Sequence, residues 1–237
     1  MVTHRMILNT GLLISLLGWL SVSSAFTHTL WTEELYRYIE EKYGSVVMNR
    51  GRELQSMILR EAVRPIEEEL AQVNALFNQV QWVSDSLHWG KKDYWQTPFE
   101  TLVEFRGDCE DIAIAKYTAL RVMGIPDEQL ALVYGKVKGV AHMVLAHYTS
   151  ADADPLVLDS LHDTIMRASK REDLVPIYEF NSTTLWLTDP HMHKLGKGKP
   201  EHLALEDEFK QRLVQNRHVL KSHNGGKPVV PFTLTDL

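Results

Sequence analysis

Cysteine is nearly absent: the chain of 237 residues holds one, Cys109. No intramolecular disulfide can form, so packing alone must hold the core, and a chain of this length has interior enough for that. Basic residues are outnumbered, 25 Lys and Arg against 31 Asp and Glu. That balance excludes the clustered positive surface that phosphate binding needs, and nucleic acid drops out as a partner. Past residue 20 no long apolar run occurs, which confines any membrane-directed segment to the N-terminus. No internal repeat, low-complexity tract or phosphate-binding glycine loop is present.

What the N-terminus does hold is a leader. His4 and Arg5 precede an apolar run from Met6 to Leu20, broken by Asn9 and Thr10, and Ser21-Val22-Ser23-Ser24-Ala25 supplies the small residues of a signal-peptidase site. Residues 1–25 therefore read as a signal peptide, with an uncleaved anchor as the alternative. Both readings export the chain. Residues 26–222 are expected to form one catalytic domain. The run His223-Asn224-Gly225-Gly226-Lys227-Pro228 opens a stretch, 223–237, read as a flexible tail.

The solitary thiol sits in Arg106-Gly107-Asp108-Cys109-Glu110-Asp111, followed by an apolar stripe through Ile112, Ala113, Tyr117 and Leu120 at helical spacing. An inert cysteine usually lies among apolar neighbours on both sides. Here the spacing places Cys109 in the first turn of a helix, where unpaired N–H groups and the helix dipole favour thiolate. Asp108, Glu110 and Asp111 oppose this, because like charge raises a thiol's pKa. A hard cation would offset them, and Ca²⁺ accepts clustered carboxylate oxygens in irregular geometry. The competing reading makes the three acids simple helix N-terminal charges.

A nucleophilic thiol needs a base, and the base needs an orienting group. Residues 141–148 read as a strand, the turn-rich Thr149 to Pro155 follows, and 156–160 reads as a second strand. This hairpin brings His142 and Asp159 near each other across a strand pair, giving the chain order Cys, His, Asp. His147 is the rival base, and strand alternation sends it to the opposite face. His191 and His193 lack a third ligand and read as surface residues. Trp82, Trp89 and Trp95 read as core, with the lining of a cleft as their alternative use.

Several short stretches resemble a known family. Gly107-Asp108-Cys109-Glu110-Asp111, Ala113-Ile114-Ala115-Lys116-Tyr117, Gly124-Ile125-Pro126, His142-Met143-Val144-Leu145, Leu158-Asp159 and the upstream Asp93-Tyr94-Trp95-Gln96-Thr97-Pro98 are similar to bacterial transglutaminase-like cysteine proteinases, and among them to the periplasmic adhesin-processing type. The resemblance spans residues 73–186. It implies Cys109 as nucleophile, His142 as general base, Asp159 as the orienting group, and Ca²⁺ held through Asp108, Glu110 and Asp111. It further implies a large surface adhesin as substrate, cut in its N-terminal region near paired alanines, and an inner-membrane cyclic-di-GMP receptor that sequesters the protease. Cleavage would then release the adhesin and disperse a biofilm. Gln96 and Ile112 depart from the family's Ala and Tyr at positions read as remote from the chemistry. Two readings stay open beside this one: a transglutaminase that passes the acyl group to an amine, and a non-catalytic Ca²⁺-binding module.

Coarse periodicity predicts helices over 33–43, 50–61, 66–80 and 99–105, the cysteine helix, and a polar helix over 201–221. Thr97-Pro98-Phe99-Glu100 carries an N-cap, a first-position Pro and a capping-box Glu. Strands are expected over 130–138, 141–148, 156–160, 174–180 and 183–187, and 195–200 reads as a loop. The fold class is α+β, a papain-like or transglutaminase-like core with leading helices, a nucleophile-bearing helix and a mostly antiparallel sheet.

Overall fold

The computed structural model describes residues 31–59, 65–198 and 207–229. The leader lies outside the described residues. Helices lead: α1 (Glu33–Tyr43), α2 (Ser45–Leu59) and α3 (Ile66–Phe77) precede a short strand β1 (Gln81–Trp82) and the single turn α4 (Asp85–His88). Next come α5 (Pro98–Glu104), β2 (Arg106–Gly107) and the cysteine helix α6 (Cys109–Val122). Seven strands follow: β3 (Leu130–Val137), β4 (Val140–His147), β5 (Leu156–Asp159), β6 (His162–Arg167), β7 (Leu174–Phe180), β8 (Leu185–Thr188) and β9 (Lys194–Gly198). Helix α7 (Asp207–His223) is the last element described.

Strands β3 to β9 form one antiparallel sheet in the order β6-β5-β4-β3-β7-β8-β9. Strand alternation gives it two apolar faces. Leu132, Met143 and Leu145 join the core beneath α6 and α3, while Val133, Val144 and Ala146 pack in a second cluster with Tyr148 and Met192. The expected α+β class is therefore the observed one. Two strands of this sheet went unforeseen, as did the two-residue strands β1 and β2. Strand β6 mixes polar residues with partial exposure, and β9 carries two glycines, so neither shows the alternation that marks a half-buried strand. The loop expected over 195–200 is strand β9 as far as Gly198, because it pairs with β8.

Of the stretch 223–237 read as a flexible tail, residues 223–229 pack against the domain and 230–237 lie outside the described residues. Asn224 and Val229 are fully buried, and the Asn224 side chain accepts the backbone N–H of Thr32 at 2.7 Å. Helix α7 also braces the stretch before α5. Arg212 donates to the Trp95 carbonyl at 2.6 Å, and Asn216 donates to the Thr97 hydroxyl at 2.8 Å.

Lys116 is a charged side chain on the cysteine helix with 1% of its surface exposed. Its ammonium donates to Asn74 Oδ1 at 2.7 Å and Asn78 Oδ1 at 2.6 Å, while both amides donate to the carbonyl of His162. The lysine thus links α6 to α3 and, through the two asparagines, to the start of β6. Burial pulls its pKa from 10.5 down to about 7, with Asp159 and Asp163 opposing. Between those two values the unfolded chain holds a proton that the folded chain has released, so stability rises with pH across that window. Replacing Lys116 by Met should remove this rise. Urea unfolding of both proteins at about pH 7.5 and 9.5 should show the wild type gaining relative to the variant by up to about 1.4 kcal/mol per pH unit. A constant difference would show that Lys116 stays charged.

Candidate active site

The local sequence delivers Cys109 to the base of a cleft in three steps. The capping box of Thr97 and Glu100 starts α5, and Phe105 ends it in the left-handed region at φ 51°. Strand β2 then pairs in parallel with β1, Trp82 beside Gly107, which fixes the entry to α6. Asp108 is the N-cap of α6, and the Asp111 carboxylate accepts its backbone N–H at 3.2 Å. Cys109 is thus the first residue of the helix, as the spacing predicts.

The sulfur meets two neighbours of opposite effect. The Met143 backbone N–H donates to it and favours thiolate. On the other side the thiol donates to Glu110 Oε2 at 3.0 Å. Burial first, then the Glu110 charge and hydrogen bond, push the Cys109 pKa far above the ordinary thiol range. Burial and the acids together outweigh the Met143 amide.

Beside Met143 on β4 stands His142, 7% exposed. The β4–β5 register pairs Leu145 with Leu158, which sets His142 and Asp159 toward the same end of the strand pair. His142 Nε2 lies 2.7 Å from Asp159 Oδ1, and Leu161 N–H donates to the same oxygen at 2.9 Å. Burial alone would raise the Asp159 carboxyl, but His142, the Leu161 amide and Arg171 together hold it far below the usual carboxylate range. With Nε2 engaged, Nδ1 is the ring nitrogen left for proton exchange. Cys109 and His142 line one cleft of about 630 Å³, with Trp82, Trp95, Tyr134 and Tyr178 on its walls. His147 lies at the other end of β4, lining a separate cavity with Glu69 and Gln129. Trp82 is 63% exposed, so it serves the cleft wall rather than the core.

Sequence reasoning missed two further acids. Asp85 of α4 and Asp93 of the following loop approach Glu110, with ligand atoms within 4.8 Å of one another, and a second set joins Asp85, Asp108 and Asp111. The signal was weak, since isolated aspartates ahead of a helix read as caps. Asp85 is buried and accepts the Tyr94 N–H on Oδ2 at 2.6 Å, while its Oδ1 has no hydrogen-bond partner; Asp108 Oδ1 is likewise unpartnered. Burial, then Glu110 and Asp111, push Asp108 up to about 10. Two orphaned buried carboxylate oxygens facing other acids form a donor set suited to a hard cation.

Asp111 is also engaged by the protein itself. Its Oδ1 accepts the Gln96 backbone N–H at 2.8 Å, and its Oδ2 accepts the Gln96 side-chain amide at 2.7 Å besides the Asp108 amide. Gln96, read from sequence as remote from the chemistry, therefore anchors the cysteine turn. A Cβ on Gly107 would collide with Asp111 Oδ2 and come within 2.7 Å of Gln96 Nε2. Gly107→Ala should accordingly displace this clasp and suppress catalysis, and Gln96→Ala should cost about 1–3 kcal/mol by stripping the side-chain donor from a buried carboxylate. Thermal unfolding with cleavage assays checks both, and a Gly107→Ala enzyme of wild-type activity would refute the clasp.

The sequence profile of the bacterial transglutaminase-like cysteine proteinases matches residues 48–180. No curated protein matches. Among solved structures, calcium-bound LapG of Legionella pneumophila is 37% identical at a TM-score of 0.59, covering 65% of this chain and 86% of that one. EGTA-treated LapG of the same organism is 34% identical at 0.66, covering 77% and 97%. With more than half its length matched by the family, and with its fold shared with these structures, the chain belongs to the bacterial transglutaminase-like cysteine proteinases, as a protease of the LapG type.

Proposed function

We propose that the protein is a calcium-dependent cysteine endopeptidase of the periplasm, with Cys109, His142 and Asp159 as its reacting set. The carrying observation is the hydrogen bond of His142 to buried Asp159 at the wall of the cleft that holds the only thiol. Cys109 Sγ attacks the scissile carbonyl carbon as His142 Nδ1 takes the thiol proton. The oxyanion so formed meets the Cys109 backbone N–H and a second donor. His142 then delivers its proton to the departing amine, the C–N bond breaks, and a thioester remains. Water, deprotonated by the same imidazole, attacks the thioester and releases the acid and the thiol. Asp159 holds the ring and stabilises its cationic form.

Two acid sets that share Asp85 would hold a calcium ion, Asp85 with Asp93 and Glu110 and Asp85 with Asp108 and Asp111. Calcium, when bound there, offsets the negative charge that holds the thiol protonated and fixes the Gly107 turn. The existence of calcium-bound and EGTA-treated structures of LapG supports the same reading. The family resemblance and the exported leader support a large surface adhesin as substrate, cleaved in its N-terminal region near paired alanines. They also support sequestration by an inner-membrane cyclic-di-GMP receptor, with biofilm dispersal as the outcome of release.

Cys109→Ala should abolish cleavage of an adhesin N-terminal fragment without altering the melting temperature. Asp159→Asn should lower kcat severely, since the corresponding change in a Ser-His-Asp triad costs about 10⁴. EGTA should suppress cleavage, added calcium should restore it, and Asp85→Ala should weaken that restoration. A metal-free enzyme that cleaves at full rate would defeat the calcium reading.

A further inference from the structure

Behind Asp159 lies a second pair of charges with no place in the three-residue scheme. Arg171 precedes β7 and is 3% exposed, its backbone pinned by hydrogen bonds from its N–H to Ala168 and from Leu174 to its carbonyl. Its Nη1 lies 2.7 Å from Asp159 Oδ2, an ion pair rather than an aligned hydrogen bond. Nε and Nη2 of the same guanidinium donate to the two oxygens of Asp173 at 2.9 and 3.1 Å. His142, Asp159, Arg171 and Asp173 thus run as one chain of contacts from the cleft, through buried Asp159 and Arg171, to the partly exposed Asp173.

We propose that Arg171 is a positioning residue for this reaction and that Asp173 sets the charge it presents. The inference rests on the reading of Cys109, His142 and Asp159 as the reacting set. Asp159 divides its oxygens: Oδ1 serves His142 and Leu161, and Oδ2 faces Arg171. A buried carboxylate whose one partner is a histidine loses its compensation whenever the ring is neutral. Arg171 is always charged, so Asp159 stays ionised and oriented through the whole cycle. Arginine alone would also cancel the negative charge that the imidazolium needs. Asp173, bidentate on the guanidinium, restores it: Asp159, Arg171 and Asp173 together carry one net negative charge toward His142.

The two residues therefore act on the imidazolium with opposite signs. Among the described residues, the charged and titratable groups facing the set are His142 from β4, Lys116 from α6, and His162 and Asp163 from β6. His162 Nε2 lies 3.8 Å from Asp173, so the test uses the His162→Gln background throughout.

The probe is iodoacetate, whose alkylation of Cys109 traces a bell against pH in calcium-containing buffer, the alkaline limb marking loss of the imidazolium proton. Asp173→Asn should move that limb down by about half a pH unit and Arg171→Met should move it up by a similar amount, with the plateau in Arg171→Met reduced about tenfold. Arg171→Lys should return the limb to its original position and recover part of the plateau, which separates charge from folding. A merely structural arginine would lower the plateau and leave both limbs in place. If His142→Ala abolishes the bell while Arg171→Met and Asp173→Asn keep the original limb, the reacting set stands and the role of Arg171 is overturned. If the bell survives His142→Ala, the reacting set is wrong and the inference falls with it.

Discussion

The buried carboxylate of Asp111 is the constraint on which the site depends. It lies on the cysteine helix, yet its hydrogen bonds go to the loop before α5 and to the helix's own cap. One side chain therefore fixes the start of α6, the Gly107 turn and the position of Gln96 together. A fully buried carboxylate left without donors would be costly, which is why three N–H groups converge on it. With the turn fixed, the sulfur has one seat available, against the Met143 amide beside His142.

The electrostatics of this seat are divided. The Met143 amide and the helix terminus favour a thiolate, while burial first and then the carboxylates of Glu110 and Asp108 oppose it. Protein groups alone leave the thiol protonated. The opposite arrangement holds at Asp159, where donors and cations outweigh burial. One half of the site is thus prepared by the fold, and the other half keeps negative charge beside the sulfur that the protein groups do not offset.

Much of this was legible in the sequence where chemistry and periodicity coincide. The start of α6, the capping box of α5 and the hairpin carrying His142 and Asp159 follow from local patterns that tertiary contacts left in place. The edge strands β6 and β9 were not legible, because their pairing partners rather than their own alternation make them strands. Asp85, Asp93, Gln96 and Arg171 were missed for a related reason. Each reaches the site through a loop or a single turn, and nothing in their spacing from Cys109 marks them. Lys116 sat in plain view on the apolar stretch of the cysteine helix, but its burial depends on two asparagines from α3.

The bracing of the Trp95–Thr97 stretch by α7 has a consequence in time. Arg212 and Asn216 hold the backbone that carries Gln96, and Gln96 holds Asp111. Helix α7 follows Cys109, His142 and Asp159 in the chain, so it leaves the ribosome after all three. A nascent chain lacking α7 carries the thiol, the imidazole and the carboxylate without the element that braces their frame. The order of the chain thus makes the frame of the site one of the later parts of the domain to be completed.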